Sequence, residues 1–430
     1  MEASLPQLVL PIKLEKSRER LTSLGGLVLV EELARGLGIW DEVDRELEGP
    51  KSGRGYAARD FVRPLVWMLQ AGGRRLEDLR ELRTEQEVLE RLGLEAVPDA
   101  GTVGDWLRRQ GEKGVEGVDR VSRRLARRAL QAEAGEMTLD VDATQIEAEK
   151  QEAAWTYQKV KGDMPLLGYA DGICVGQEFR PGNQSPGAEV LEFAQQCEKV
   201  LPAGRKVYFR SDSAAYQAAV LNHYSQPGRS FSITADRDAA VRGEIENLPE
   251  VAWQAYRTAE DMATDRQIAE TVHTMNGSEQ AFRLIVLRWP NPQPNLFESS
   301  RYCYHAVATN RQETAKEVIW KHHQRGQCEN WHKELKLDLG MEQMPCGQLE
   351  ANALYFAIGV LAYNLAQVLK RQVLPEAYRR VTVSTLRWKV YRLAGKLVRH
   401  ARAWVLQVKA DVEKWRLLES ARRHCATLAT

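Results

Sequence analysis

The sequence predicts a mixed α/β protein, a mixed sheet flanked by helices with a β-rich insertion, set between helical N-terminal and C-terminal regions. Three observations predict it. Residues 135–242 alternate short β-rich runs with helical runs, residues 1–134 space apolar side chains as helices do, and residues 243–300 carry apolar–polar alternation broken by polar turns. The divisions that follow are 1–134, a first core segment 135–242, the insertion 243–300, a second core segment 301–370, and a basic helical region 371–430.

From the N-terminus, residues 27–47, 57–69 and 77–92 have helical apolar spacing. A turn at Val97-Pro98-Asp99 then feeds a short helix capped by Asp99 or Thr102, with Arg108 and Arg109 at its end. Two readings fit that turn, a helix-turn-helix entering a DNA groove or a plain helical packing module. Arg123, Arg124, Arg127 and Arg128 follow as a basic stripe that phosphates can use.

The core begins with a strand at 139–141. A hairpin is expected over 166–180 around Asp171-Gly172, then a helix at 189–200, a strand at 206–210, a helix from Ala214 capped by Ser213, and a strand at 231–235. In the insertion, 251–256 and 281–289 read as strands and 290–294 as a loop; 302–309 is the strand that leads onward. A helix without proline is expected over 312–339. The apolar helix 349–369 packs on the sheet, with Asn352 and Asn364 as satisfied core amides. Residues 387–402 read as a basic amphipathic helix pair for DNA or a second subunit.

Chemistry concentrates on three acids. Asp142 follows the first strand, Asp212 ends another, and Glu329 lies on the 312–339 helix. At 3.6 residues per turn His322, Arg325, Glu329, His332, Lys333 and Lys336 share one face. Taken alone, such a face is a solvated row of ion pairs. Together with two aspartates at strand ends it suits Mg²⁺, which prefers hard oxygen ligands. Three carboxylates can hold two ions about 4 Å apart for in-line attack at phosphorus.

Asp142-Ala143-Thr144, Asp212 and the Arg325, Glu329 and Lys336 spacing resemble the DDE transposases of bacterial insertion sequences, in the branch with a Tyr-Arg-Glu-Lys signature. His322 stands at the tyrosine position. Gly162-Asp163-Met164-Pro165 and Arg180-Pro181-Gly182-Asn183 are similar to segments that follow the first acid in that family, so the likeness covers roughly residues 137–370. The resemblance implies an RNase H-like sheet that brings Asp142 beside Asp212. It implies Asp142, Asp212 and Glu329 as catalytic and metal-binding residues, with two Mg²⁺ ions for which Mn²⁺ substitutes. Arg325, Lys333, Lys336, His322 and Arg210 are then expected on DNA phosphates. Trp289, Arg108 and Arg109 are expected at bases or the DNA end, with a core role for Trp289 as the alternative. The implied activity is binding of double-stranded insertion-sequence ends, their hydrolytic cleavage and joining of the 3′ ends to target DNA by a homodimer or larger assembly.

Composition narrows the classes. With 43% hydrophobic residues among 430, the chain has an ordinary globular balance. No apolar run is expected to approach the ~20 residues of a membrane span, and the charged first 20 residues do not read as a secretory signal, so cytoplasmic, nucleoid-associated residence is expected. Six scattered cysteines without a CxxC pair suggest neither zinc site nor disulfide framework. The net charge of +1 conceals an uneven distribution, because residues 371–430 hold 14 Lys and Arg against 4 Asp and Glu. That block serves a solvated or oligomerising surface, or DNA backbone. Two other functions stay open. Asp140-x-Asp142-x-Thr144 matches the DxDxT loop of haloacid dehalogenase-like phosphatases, with Asp140 as nucleophile and Asp142 as acid. A non-catalytic DNA-binding descendant of a transposase would keep the same residues.

Overall fold

The computed structural model describes residues 15–50, 55–131, 135–258, 261–292 and 301–429. After the short strand β1 (Leu21–Thr22) come α1 (Val28–Gly36), α2 (Ile39–Glu46), α3 (Arg59–Ala71), α4 (Leu79–Thr84), α5 (Gln86–Leu92) and α6 (Ala100–Leu130). Gly38, at φ +69, lets the chain turn between α1 and α2 where a side chain would be strained. Asp99 caps α6 by accepting from the Thr102 amide at 2.9 Å. The helix is longer than expected. It runs 31 residues through a kink at Gly111 (φ 55, ψ −156), which carries the short helix expected after Asp99 on through the arginine stripe as one bent element. The arginine stripe on its second half is spent internally: Arg123 pairs with Asp119 at 2.6 Å, Arg124 with Glu42 and Glu46 at 2.7 Å, and Arg127 and Arg128 donate to the Lys199 and Leu428 carbonyls.

The core opens with β2 (Met137–Ala143), followed by three short strands, β3 (Ile146–Glu147), β4 (Ala154–Trp155) and β5 (Lys161–Asp163), which form their own antiparallel side sheet. Then come β6 (Leu166–Ala170), β7 (Ile173–Glu178), α7 (Val190–Glu198), β8 (Val207–Ser211), α8 (Ala218–Tyr224), β9 (Arg229–Thr234), α9 (Ala239–Glu246), β10 (Gln254–Arg257), β11 (Ala263–His273), β12 (Phe282–Pro290) and β13 (Tyr302–Thr309). The main sheet has nine strands in the order β10-β11-β12-β13-β9-β8-β2-β6-β7. Only β8 runs parallel to its neighbours, β2 and β9. Register pairs Asp140 with Arg210 across β2 and β8, so Asp142 and Asp212 each lie two residues further along adjacent chains.

The expected insertion does not stand apart. Strands β10–β12 extend the main sheet outward from β13, and β11 is an eleven-residue strand hidden from sequence reading by its polar alternate positions. Part of the expected 290–294 loop lies outside the described residues.

Beyond β13 the chain forms α10 (Ala315–His323), α11 (Gly326–Lys333), α12 (Leu349–Val368), α13 (Val383–Leu386), the hairpin β14 (Gly395–His400) with β15 (Ala403–Val408), and α14 (Val412–Leu428). Residues Leu349–Val373 are long and apolar enough for a membrane span, contrary to expectation, yet their most apolar stretch is wholly buried within the fold. Asn364 explains part of that placement: its amide bonds Cys174 N at 2.9 Å, Cys174 O at 2.8 Å and Ser122 Oγ at 3.0 Å, tying α12 to β7 and α6. Asn352 is satisfied likewise, by both backbone groups of Cys346. The basic helix pair expected over 387–402 is instead largely a hairpin. Period-two alternation from Lys396 to Val408 and a turn with Ala401 and Arg402 at positive φ outweigh the helical spacing. All six cysteines are free, and five of them are buried.

Candidate active site

Two adjacent strand ends and one helix supply the acids. Asp142 stands near the end of β2; Asp212 leaves β8 and caps the following turn itself, its Oδ1 accepting from Ala214 N at 3.0 Å, so the cap expected of Ser213 belongs to its neighbour. Glu329 is exposed on α11. All three line one cleft of about 430 Å³, together with Lys333 and Lys336. Burial pushes the Asp142 carboxyl up, Arg325 opposes, and the charges of Asp212, Asp140 and Glu329 push further, to about 7. Among the described residues no three His, Cys, Asp or Glu side chains already have the spacing of a complete metal shell. The donor set nonetheless fits a hard cation, being three carboxylates on one cleft with mutual repulsion to relieve.

The 312–339 segment is not one helix. Thr314 and Glu317 form a capping box that starts α10, the chain turns at Gln324 and Arg325, α11 follows, and a π-helical turn covers Glu334–Asp338. The break takes His322 off the expected face, while Arg325, Glu329, His332, Lys333 and Lys336 stay together at the cleft. Arg325 approaches Asp142 at 3.5 Å, Lys336 donates to the Gln145 carbonyl at 2.6 Å while lining the cleft, and Lys333 is exposed at its rim. His332 lines the cleft as well. Its Nδ1 lies 3.9 Å from Asp142 Oδ2, its Nε2 is buried with no hydrogen-bond partner among the described residues, and burial, with Lys336 and Arg325, lowers its pKa to about 3. Sequence reading gave it no role, although it sits three residues beyond Glu329 on the same helical face. Tyr157, Gln158 and Glu342 also line the cleft, and sequence reading named none of them.

Several expected contacts are corrected. His322 is turned into the protein, its ring nitrogens 3.0 Å from Ser232 Oγ and 3.1 Å from Thr234 Oγ1, so it does not reach a phosphate. Arg210 is buried as well. It grips Asp140 with two 2.7 Å bonds and donates to the Lys321 carbonyl, leaving no arm for DNA. The same grip removes the phosphatase alternative, because Asp140 is 1% exposed and cannot act as a nucleophile on an incoming ester. Trp289 is half-buried, one side of its ring against a small apolar cluster that includes Ile285, Val307 and Ile319, with Arg266 over the ring at 4.9 Å, and it does not line the cleft. Arg108 and Arg109 are exposed on α6, Arg108 paired with Asp105, and neither lines the cleft.

A family model described as transposase DDE domain group 1 matches residues 8–429. Among solved structures the chain is similar to a piggyBac transposase synaptic complex with hairpin DNA, studied by cryo-EM, with a TM-score of 0.50 and 12% identity over 85% of this chain and 79% of that one. Likeness at that identity is one of fold, the RNase H-like arrangement with its mixed sheet and flanking helices. No curated protein matches.

Proposed function

The chain belongs to the transposase DDE domain group 1 family, whose members cleave and join DNA, and from that membership we propose that it is the transposase of a bacterial insertion sequence, in the Tyr-Arg-Glu-Lys branch with His322 at the tyrosine position. It binds double-stranded DNA at the element's terminal repeats, cleaves there, and joins the 3′ ends to target DNA. The observation that carries this reading is the cleft shared by Asp142, Asp212 and Glu329 with two lysines.

Those three carboxylates would hold two Mg²⁺ ions, with Mn²⁺ substituting. The bound ions supply Lewis-acid stabilisation of charge on the attacking and leaving oxygens at phosphorus. The protein's own contribution is positioning and electrostatics, as phosphoryl transfer requires. Lys336, anchored on Gln145, sets a fixed point charge at the cleft wall, and Lys333 adds another at the rim. Arg325 offsets the negative charge on Asp142 and presents its remaining N–H groups to a phosphate oxygen. Arg108 and Arg109 are the exposed pair for contact with the DNA end. Pairing two ends calls for at least two subunits.

The test is cleavage of a donor plasmid carrying the chain's own element, in Mg²⁺. Asp142→Asn, Asp212→Asn and Glu329→Gln should each reduce cleavage to background while duplex binding persists. Full activity in any one of them removes that residue from the site. Binding without cleavage by the unaltered protein, in Mg²⁺ and in Mn²⁺, would favour the non-catalytic descendant.

A further inference from the structure

Directly after Asp142 the chain leaves the main sheet to build the β3–β5 side sheet, returning at β6. This detour is anchored firmly. Lys336 holds the Gln145 carbonyl, Glu152 accepts from the Leu349 amide at 2.7 Å, and Gly162 has no room for a side chain, since a Cβ there would meet the Ile146 carbonyl oxygen at 2.0 Å. Its outer end is a tight turn, with Thr156 N donating to Val160 O at 2.8 Å and Lys159 N to Thr156 O at 2.9 Å.

On this anchored base stand two aromatic side chains that the fold does not use. Trp155 is 62% exposed and Tyr157 is 66% exposed. Tyr157 lines the cleft of the three acids; Trp155 lines an adjoining hollow whose three lysines, Lys150, Lys159 and Lys161, outnumber its two carboxylates, Glu147 and Glu149, and the Lys161 ammonium lies 5.9 Å from its ring centre. Rings kept in water beside lysines, next to the cleft assigned above to a phosphodiester, match a ligand with flat apolar faces on an anionic backbone. Paired bases in a duplex hide those faces; unpaired ones expose them.

We propose that the side sheet is a stacking platform for unpaired nucleobases beside the reacting phosphate, with Tyr157 taking a base at the cleft and Trp155 one in the adjoining hollow. This rests on the reading of the chain as a DNA-processing enzyme and adds that the end is engaged with its strands parted. The platform lies on the segment after the first acid, not on β12, where Trp289 is half-buried against an apolar cluster and off the cleft.

Fluorescence anisotropy with the full chain, in EDTA and at one salt concentration, tests it with two probes: a blunt duplex and the same duplex frayed by three terminal mismatches. The unaltered protein should prefer the frayed probe by about tenfold or more, as stacking on one or two aromatics gives. Trp155→Ala with Tyr157→Ala should abolish that preference by weakening the frayed probe far more than the blunt one, while Trp155→Phe with Tyr157→Phe should keep it. Equal binding of the two probes by the unaltered protein, or a preference that survives the double alanine variant, overturns the platform and leaves the transposase reading standing. Equal weakening on both probes also overturns it. No binding of either probe by the unaltered protein overturns both.

Discussion

Arg210 and Asp140 show what single positions do here. Burial pushes the Asp140 carboxyl up and the Arg210 guanidinium opposes it with two hydrogen bonds, so each depends on the other for its place beneath the cleft. Arg210→Ala should cost about 3–5 kcal/mol in chemical denaturation, the range for stranding one partner of a buried pair. Arg210→Met with Asp140→Leu should cost much less. His322 makes a separate prediction through pH. Burial first, then nearby cations, holds its pKa well below the ordinary value, so the unfolded chain takes up a proton near pH 6.5 that the folded chain refuses. Stability should therefore fall as pH drops below about 6.5, and the fall in melting temperature between pH 7.5 and 5.5 should be smaller in His322→Asn. That Asp142, Asp212 and Glu329 share a cleft was legible in the sequence, the aspartates because carboxylates at strand ends have a recognisable setting and Glu329 because of its spacing from Arg325 and Lys336 on a helical run. The fates of His322 and Arg210 were not, since periodicity does not say which way a residue faces once its helix breaks.

At the level of elements, the acidic strand ends and the hairpin around Asp171-Gly172 follow local chemistry and were readable as such; that turn has both residues at positive φ. The 312–339 helix was misread because its break is tertiary in origin: His322 is drawn to Ser232 and Thr234, and the π-helical turn then carries Lys336 to Gln145 while Glu334 meets Lys370 at 2.6 Å in the interior. The 387–402 stretch failed differently, because its residues satisfy both periods and pairing of β14 with β1 decides between them. The side sheet makes an element-scale prediction. Gly162→Ala forces a Cβ against the Ile146 carbonyl, so β5 must shift from β3. Cleavage should fall by at least about tenfold, a 1.4 kcal/mol effect on the barrier, and limited proteolysis should open near residues 156–160 while the melting temperature changes by only a few degrees.

Across the whole molecule, the net charge of +1 says little about DNA, because the ion pairs of α6 consume most of its arginines while Lys333 remains exposed at the cleft rim. Duplex affinity should fall linearly with salt on a logarithmic plot, and Lys333→Ala should reduce the slope by about 1. The sequence divisions at 134 and 371 set the two ends of the chain apart, and nothing local reveals that they meet. Their contact is long-range, made by pairing of Leu21 with Lys396, by the bond from Arg128 to the Leu428 carbonyl and by the ion pair of Arg422 with Glu32. During synthesis, the helices around α1 wait for residues 395–428 to leave the ribosome before their contacts are complete. A chain ended after Glu329 would thus carry all three acids but lack both the partners of Leu21, Glu32 and Arg128 and the buried α12, so it should be digested by protease far faster than the full chain.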